Sequence, residues 1–95
     1  LDTACDEQFE EGLKEFVADF ASGEKQEIGV DLLRTRKFGE KIYVEMEISV
    51  DGNLRLREAH AVAERLHDAL EATYPLVKHV MIHVNPMEDP EEMSK

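Results

Sequence analysis

The chain has 95 residues, of which 42% are hydrophobic and 35% are charged, so it has room for one globular domain with a modest core. Its 22 acidic residues against 11 basic ones give a formal net charge of −11, which repels phosphate backbones and anionic lipids and attracts cations. These values argue against nucleic acid as a partner and against insertion into a membrane, because no apolar run approaches the roughly 20 residues that span a bilayer.

The first predicted element is a helix over residues 6–21. Its large apolar residues recur at helical spacing, and Gly23 follows as a stop signal. We expect these residues to face the core: Phe9, Leu13, Phe16, Val17 and Phe20. The single cysteine, Cys5, precedes this helix and permits no disulfide within the chain.

Two strands joined by a turn at residues 38–40 come next. In the first strand, residues 28, 30 and 32 alternate with residues 29, 31 and 33, which predicts that Leu33 shares the outer face with Asp31. In the second, residues 42–50 alternate regularly, with apolar side chains toward the core and Tyr43, Glu45, Glu47 and Ser49 outward. We therefore expect Asp31 and Glu47 to lie on the same face of a hairpin.

A second amphipathic helix is predicted over residues 57–73, and Pro75 sets its end. Its apolar residues are interrupted along one border by a polar stripe. The stripe consists of His60, Glu64, His67 and Glu71. Such a stripe could bind a metal, but a solvated helix edge is the favoured interpretation.

The last strand, residues 78–85, places Val80, Ile82 and Val84 on one face and His79, Met81, His83 and Asn85 on the other. A right-handed crossover would make it parallel to the preceding strand. The order helix, strand, strand, helix, strand thus predicts an α+β sandwich, a three-stranded mixed sheet with both helices on one face. The uncovered face, or its edge, should form a homodimer.

The uncovered face carries metal-binding side chains. His83 and Asn85 lie about 6.6 Å apart along their strand, close enough to share an ion, whereas His79 is roughly 13 Å from His83. Asp31 or Glu47 on neighbouring strands would complete such a set if the strand registers bring them together.

Three segments together carry a resemblance to a known family. They are residues 31–39 (DLLRTRKFG), 58–64 (EAHAVAE) and 80–86 (VMIHVNP). Their order and spacing resemble the cytoplasmic C-terminal domain of cation diffusion facilitator transporters, also called cation efflux proteins. The likeness covers nearly the whole chain and implies a metallochaperone-like, ferredoxin-like fold.

The resemblance implies a function as well. In this family the whole protein exchanges a divalent cation for protons, and the domain dimerises on the cytoplasmic side of the membrane. This chain would be the metal-sensing and dimerising module, with residues 1–5 as the linker from a transmembrane domain of the same polypeptide and residues 87–95 as a flexible acidic tail. Metal binding at the dimer interface would favour the transport-competent state.

The resemblance also implies a ligand set. His60 and His83 match histidines of zinc-binding members, while Asp31, Glu47 and Asn85 fall where those members have histidine, histidine and aspartate. The oxygen donors make the set harder, which should weaken zinc relative to manganese or ferrous iron. Because His60 begins a helix on the covered face, it would have to reach around an edge or meet residues of a second protomer.

Two other functions share this fold. A stand-alone cytosolic metal sensor or carrier would have the same histidines, and a small-molecule-binding regulatory dimer would have the same sandwich. An enzyme is not expected, because the sequence has no nucleophile paired with a base and no glycine-rich phosphate loop.

Overall fold

The computed structural model describes residues 2–3 and 7–87. Its elements, in chain order, are β1 (Asp2–Thr3), α1 (Glu7–Ser22), β2 (Ile28–Phe38), β3 (Lys41–Val50), α2 (Leu56–Thr73) and β4 (Val77–Pro86). The predicted order helix, strand, strand, helix, strand is confirmed from α1 to β4. The acidic tail from residue 88 onward and most of the predicted linker lie outside the described residues. Neither described helix is both long enough and apolar enough to cross a membrane.

The strands form one sheet in the order β1-β2-β3-β4. β2 and β3 pair antiparallel and β3 and β4 pair parallel, as predicted. The short strand β1 was not predicted, and it adds a fourth strand at the β2 edge by pairing Asp2 with Phe38. Gly39 begins the two-residue loop between β2 and β3 with a φ of +61°, a left-handed conformation that favours glycine.

Among the described residues, one apolar core joins both helices to one face of the sheet. The alternate residues of β3 that were predicted to face inward are buried, and they pack against the inner residues of the two helices. The core residues are Leu13 and Val17 of α1, Ile42, Val44, Met46 and Ile48 of β3, Val62, Leu66 and Leu70 of α2, and Val77 and Val80 of β4. The opposite face of the sheet is therefore left without a helix in the described part of the chain.

The alternation predicted for β2 is wrong at its centre. Val30 pairs with Ile48 and Leu32 pairs with Glu47, so two residues of β2 advance against one of β3 and Asp31 is the extra residue of a β-bulge. Beyond the bulge the faces are exchanged. Leu33, which pairs with Met46, packs against the core instead of lying on the outer face, and Leu32 takes the outward position.

Two side-chain contacts tie the helices to the rest of the fold. The hydroxyl of Thr35, a buried residue of β2, donates a 2.9 Å hydrogen bond to the carboxylate of Glu10 in α1. Arg65 of α2 donates hydrogen bonds through Nε and Nη2 to the carboxylate of Glu24, in the loop after α1. These hydrogen bonds raise the pKa of the exposed Arg65 guanidinium.

Candidate metal centre

The uncovered face of the sheet divides into an aromatic end and a polar end. Near the β2–β3 turn, the ring of Tyr43 lies 4.9 Å from that of Phe38 and 5.5 Å from that of His79, measured between centroids. In the middle of the face, Arg34 forms a 3.5 Å ion pair with Glu45. The predicted metal ligands of the face, Glu47, His83 and Asn85, lie beyond this pair, toward the ends of β3 and β4.

Glu47 and His83 occupy paired positions on β3 and β4. Paired residues of adjacent strands lie about 5 Å apart and direct their side chains to the same face. Asn85, two residues further along β4, donates a 3.2 Å hydrogen bond from Nδ2 to Oε1 of Glu47. The parallel register therefore brings three of the five predicted ligands together, one carboxylate, one imidazole and one amide.

Asp31 lies on β2, the strand on the other side of β3, and precedes Leu32, which pairs with Glu47. Its bulge places the carboxylate beside Ser49, whose hydroxyl donates a 3.4 Å hydrogen bond to Oδ1 of Asp31. Ser49 in turn pairs with Asn85 across β3 and β4. One open depression is lined by Asp31, Ser49 and Asn85 together with Pro86 and Met87.

His60 lies on the other side of β4. It is an exposed residue of α2 and lines a groove with Val84, Asn85 and Pro86, which we call the edge groove. Because β4 is the edge strand of the sheet, His60 and the outward side chains of β4 flank the same free edge. The structure thus places His60 and Asn85 along the same groove within one chain.

A separate group of potential ligands lies on α2. Among the described residues, a set of three His, Cys, Asp or Glu side chains with ligand atoms within 4.8 Å of one another is formed by His67, Asp68 and Glu71. His67 Nδ1 lies 3.5 Å from the carboxylate of Asp68 and 3.7 Å from that of Glu71. The spacing of His67 and Glu71, four positions apart on a helix surface, is that of an ordinary ion pair.

The residues at the polar end of the uncovered face fit a divalent cation. Carboxylate oxygens and an imidazole nitrogen bind such ions at about 2.0–2.2 Å, and paired strand positions bring side chains within reach of one ion. Glu47 and Asn85 are only partly exposed, so their donor atoms are already partly removed from bulk water. Oxygen donors from Asp31, Glu47 and Asn85 would outnumber the nitrogen donors. A ligand set rich in oxygen is chemically hard and suits ions such as manganese.

Prediction from the sequence missed the β-bulge at Asp31, and with it the hydrogen bond from Ser49 to Asp31. Two signals for the bulge are present in the segment IGVDLL, residues 28–33. A glycine inside a strand often marks a bulge, and two consecutive leucines break a period of two. Together they locate the extra residue within one position of Asp31.

Comparison with known proteins identifies the family. A sequence model of the cytoplasmic domain of cation efflux proteins matches residues 9–87. The cation-efflux pump FieF of Shewanella oneidensis is 26% identical over 88 residues, which are 93% of this chain and 29% of that protein. The manganese efflux system protein MneP of Bacillus subtilis is 28% identical over 57 residues, 60% of this chain and 19% of that protein. The chain thus spans less than a third of the length of either relative.

The fold agrees with this family. The chain is similar to a solved structure of CzrB in its zinc form, with 28% sequence identity and a TM-score of 0.76, over 90% of this chain and 93% of that one. This likeness confirms the predicted ferredoxin-like α+β fold. Since the family match extends over most of α1 and all of β2, β3, α2 and β4, the chain belongs to the family of cytoplasmic domains of cation efflux proteins.

Proposed function

We propose that this chain is the metal-sensing and dimerising domain of a divalent-cation/proton antiporter, tethered on the cytoplasmic side through a transmembrane domain of the same polypeptide. A divalent cation binds to Glu47 and His83, with Asp31, Asn85 and His60 as further ligands. The observation that carries the proposal is the pairing of Glu47 with His83 on the uncovered face, beside the hydrogen bond from Asn85. Cation binding at this face favours the transport-competent state.

The charge and the donor types support a divalent cation as the ligand. A formal net charge of −11 raises the local concentration of cations around the domain. Three oxygen-bearing side chains beside two imidazoles favour manganese or ferrous iron over zinc more than a histidine-rich set does. Among the relatives, MneP is a manganese efflux system protein and CzrB has been solved in a zinc form, so both metals belong in the test.

The exposed apolar side chains of the uncovered face support a homodimer. Phe38 is 41% exposed, Tyr43 38% and Met81 43%, all on the sheet face that carries no helix. A small sheet with one such face is commonly covered by a second copy through a twofold axis. A dimer formed there would place the polar ends of two uncovered faces at or near the interface.

Metal would then act on the dimer by differential binding. A cation that binds the closed pair of domains more tightly than the open pair shifts the population toward the closed pair. The free energy of this shift cannot exceed the difference between the binding free energies of the two states. For a cation that bound only the closed pair, a hundredfold excess over its dissociation constant would stabilise that pair by about 2.7 kcal/mol. In the whole transporter, this closure would be the signal that reaches the transmembrane part.

The test combines thermal melts with sedimentation and small-angle scattering of the purified domain. We expect manganese, ferrous iron under anaerobic conditions, or zinc to raise the melting temperature of the native chain and to change the dimer's scattering profile. The double variant Glu47→Gln, His83→Ala should lose both responses. If the double variant responds to each metal as the native chain does, the proposed site is wrong. If metal binds but leaves the dimer unchanged, the proposed regulation is wrong.

A further inference from the structure

Asp31 is held by a contact that its strand alone would not provide. A β-bulge leaves the bulged residue without a partner in the ladder and re-aims its side chain. The carboxylate of Asp31 accepts a hydrogen bond from the hydroxyl of Ser49, which belongs to the neighbouring strand β3. At 3.4 Å it is longer than the roughly 2.5–3.0 Å that is usual for an O–H···O hydrogen bond, so its contribution to the stability of the fold is small.

Ser49 is unusual among the outward residues of β3. Its neighbours on this face, Tyr43, Glu45 and Glu47, are exposed or partly exposed, whereas Ser49 is only 8% exposed. A buried hydroxyl needs a hydrogen-bond partner, and the carboxylate of Asp31 accepts a hydrogen bond from it. The position of Ser49 is therefore set by packing, and its donor direction is set by Asp31.

Gly29 makes the contact possible by leaving space. It pairs with Ser49 across β2 and β3, and a Cβ at this position would lie 2.7 Å from Oγ of Ser49 and 3.9 Å from Oδ1 of Asp31. Real Cβ atoms essentially never approach an atom as closely as the first distance. Since Gly29 does not have a positive φ, the need for glycine here is one of space and not of backbone conformation.

We infer that Ser49 is a positioning residue for the metal ligand Asp31, and that Gly29 provides the space in which Ser49 takes this position. The inference rests on the proposed function, because it assigns Asp31 to the cation site. A hydrogen bond to a ligating carboxylate fixes its orientation and limits the rotamers that must be frozen when the ion binds. Such outer contacts typically change metal affinity by about 10–100-fold.

The test measures manganese affinity by calorimetry with MnCl2 on the purified chain. We expect Ser49→Ala to weaken binding by about 10-fold or more. Gly29→Ala, which keeps both polar groups but displaces the hydroxyl, should weaken binding in the same direction. Ser22→Ala is the matched control, because Ser22 donates its hydroxyl to the carbonyl of Asp19 at the end of α1, outside the site.

A double-mutant cycle separates positioning from general loss of stability. If Ser49 acts through Asp31, Ser49→Ala should have no further effect on affinity in an Asp31→Ala background. Thermal melts in the presence of a chelator report whether Ser49→Ala lowers the stability of the metal-free domain. A loss of stability of that kind would persist in the Asp31→Ala background, whereas an effect on affinity through Asp31 would not.

The two ideas fail in different ways. If Asp31→Ala weakens manganese binding while Ser49→Ala binds as the native chain does, the positioning role is wrong and the proposed site stands. Additive losses in the double variant likewise refute the positioning role. If Asp31→Ala and Glu47→Gln both bind manganese with native affinity, the proposed site itself is wrong, and the role of Ser49 falls with it.

Discussion

Asn85 and Glu47 are 38 positions apart in the chain, yet Nδ2 of Asn85 donates a 3.2 Å hydrogen bond to Oε1 of Glu47. The parallel pairing of β3 and β4 makes this contact possible, because it sets Glu47 opposite His83, two residues before Asn85. The amide nitrogen of Asn85 faces the carboxylate, and its amide oxygen, the atom of the group that can bind a metal, is not used in this hydrogen bond. The neutral Asn85 therefore holds Glu47 in place without adding charge.

Asn85→Asp should make the metal-free domain less stable and its response to metal larger. The substitution replaces a hydrogen bond to a charged group by two facing carboxylates, at a cost of about 1–3 kcal/mol. A divalent cation would relieve the repulsion, so the rise in melting temperature on adding zinc or manganese should exceed that of the native chain. Asn53→Asp, which adds the same charge in the exposed loop before α2, is the control. Equal stability of Asn85→Asp and the native chain in a chelator would contradict this prediction.

His60→Ala should weaken metal binding, although His60 lies on α2 and not on the sheet. It flanks the free edge of β4 and lines the edge groove with Asn85. Removing a ligand should reduce affinity by at least the roughly 10-fold that loss of an outer contact costs, as measured by calorimetry. His67→Ala, one histidine for another on the same helix, is the matched control. A larger loss with His67→Ala would instead indicate that His67, Asp68 and Glu71 bind the ion.

Leu66→Ala should destabilise the domain by about 2–5 kcal/mol, because it leaves a cavity among fully buried side chains. Leu66 is 0% exposed and belongs to the apolar core between α2 and the sheet. Urea denaturation should show the loss as a lower midpoint with an unchanged slope. Leu56→Ala tests the same chemical change at a side chain that is 85% exposed, where we expect no more than about 0.5 kcal/mol. Similar losses at both positions would refute the described packing of α2.

Gly39→Ala and Gly12→Ala should change stability in opposite directions. Gly39 has a φ of +61°, so a side chain there costs about 1–2 kcal/mol. Gly12 lies inside α1, and a Cβ at this position would have no atom of another residue within 4 Å, apart from its chain neighbours and the helix backbone. Alanine should therefore stabilise the helix by roughly 0.5–1 kcal/mol. Thermal melts of both variants check the pair. A stabilising Gly39→Ala would mean that the loop between β2 and β3 has a different conformation.

Much of the fold follows from local patterns. The alternation over residues 42–50 predicts which side chains of β3 face the core, because a strand repeats every two residues. The helical spacing of Leu13 and Val17, and of Val62, Leu66 and Leu70, predicts the buried side of each helix in the same way. The order of elements and the right-handed crossover then limit the topology to a mixed sheet with both helices on one face.

The site depends on relationships between distant parts of the chain. A single added residue at Asp31 exchanges the faces of Leu32 and Leu33. A prediction that assumes strict alternation therefore assigns every later residue of β2 to the wrong face. The pairing of Glu47 with His83 depends on the register of two strands separated by α2, which is set by the packing of that helix on the sheet. The sequence by itself thus determined the kinds of ligand present and the faces of β3 and β4. Only the tertiary structure decided that Glu47 pairs with His83, that Asn85 donates a hydrogen bond to Glu47 and that Ser49 donates one to Asp31. Register and bulge are settled by long-range packing.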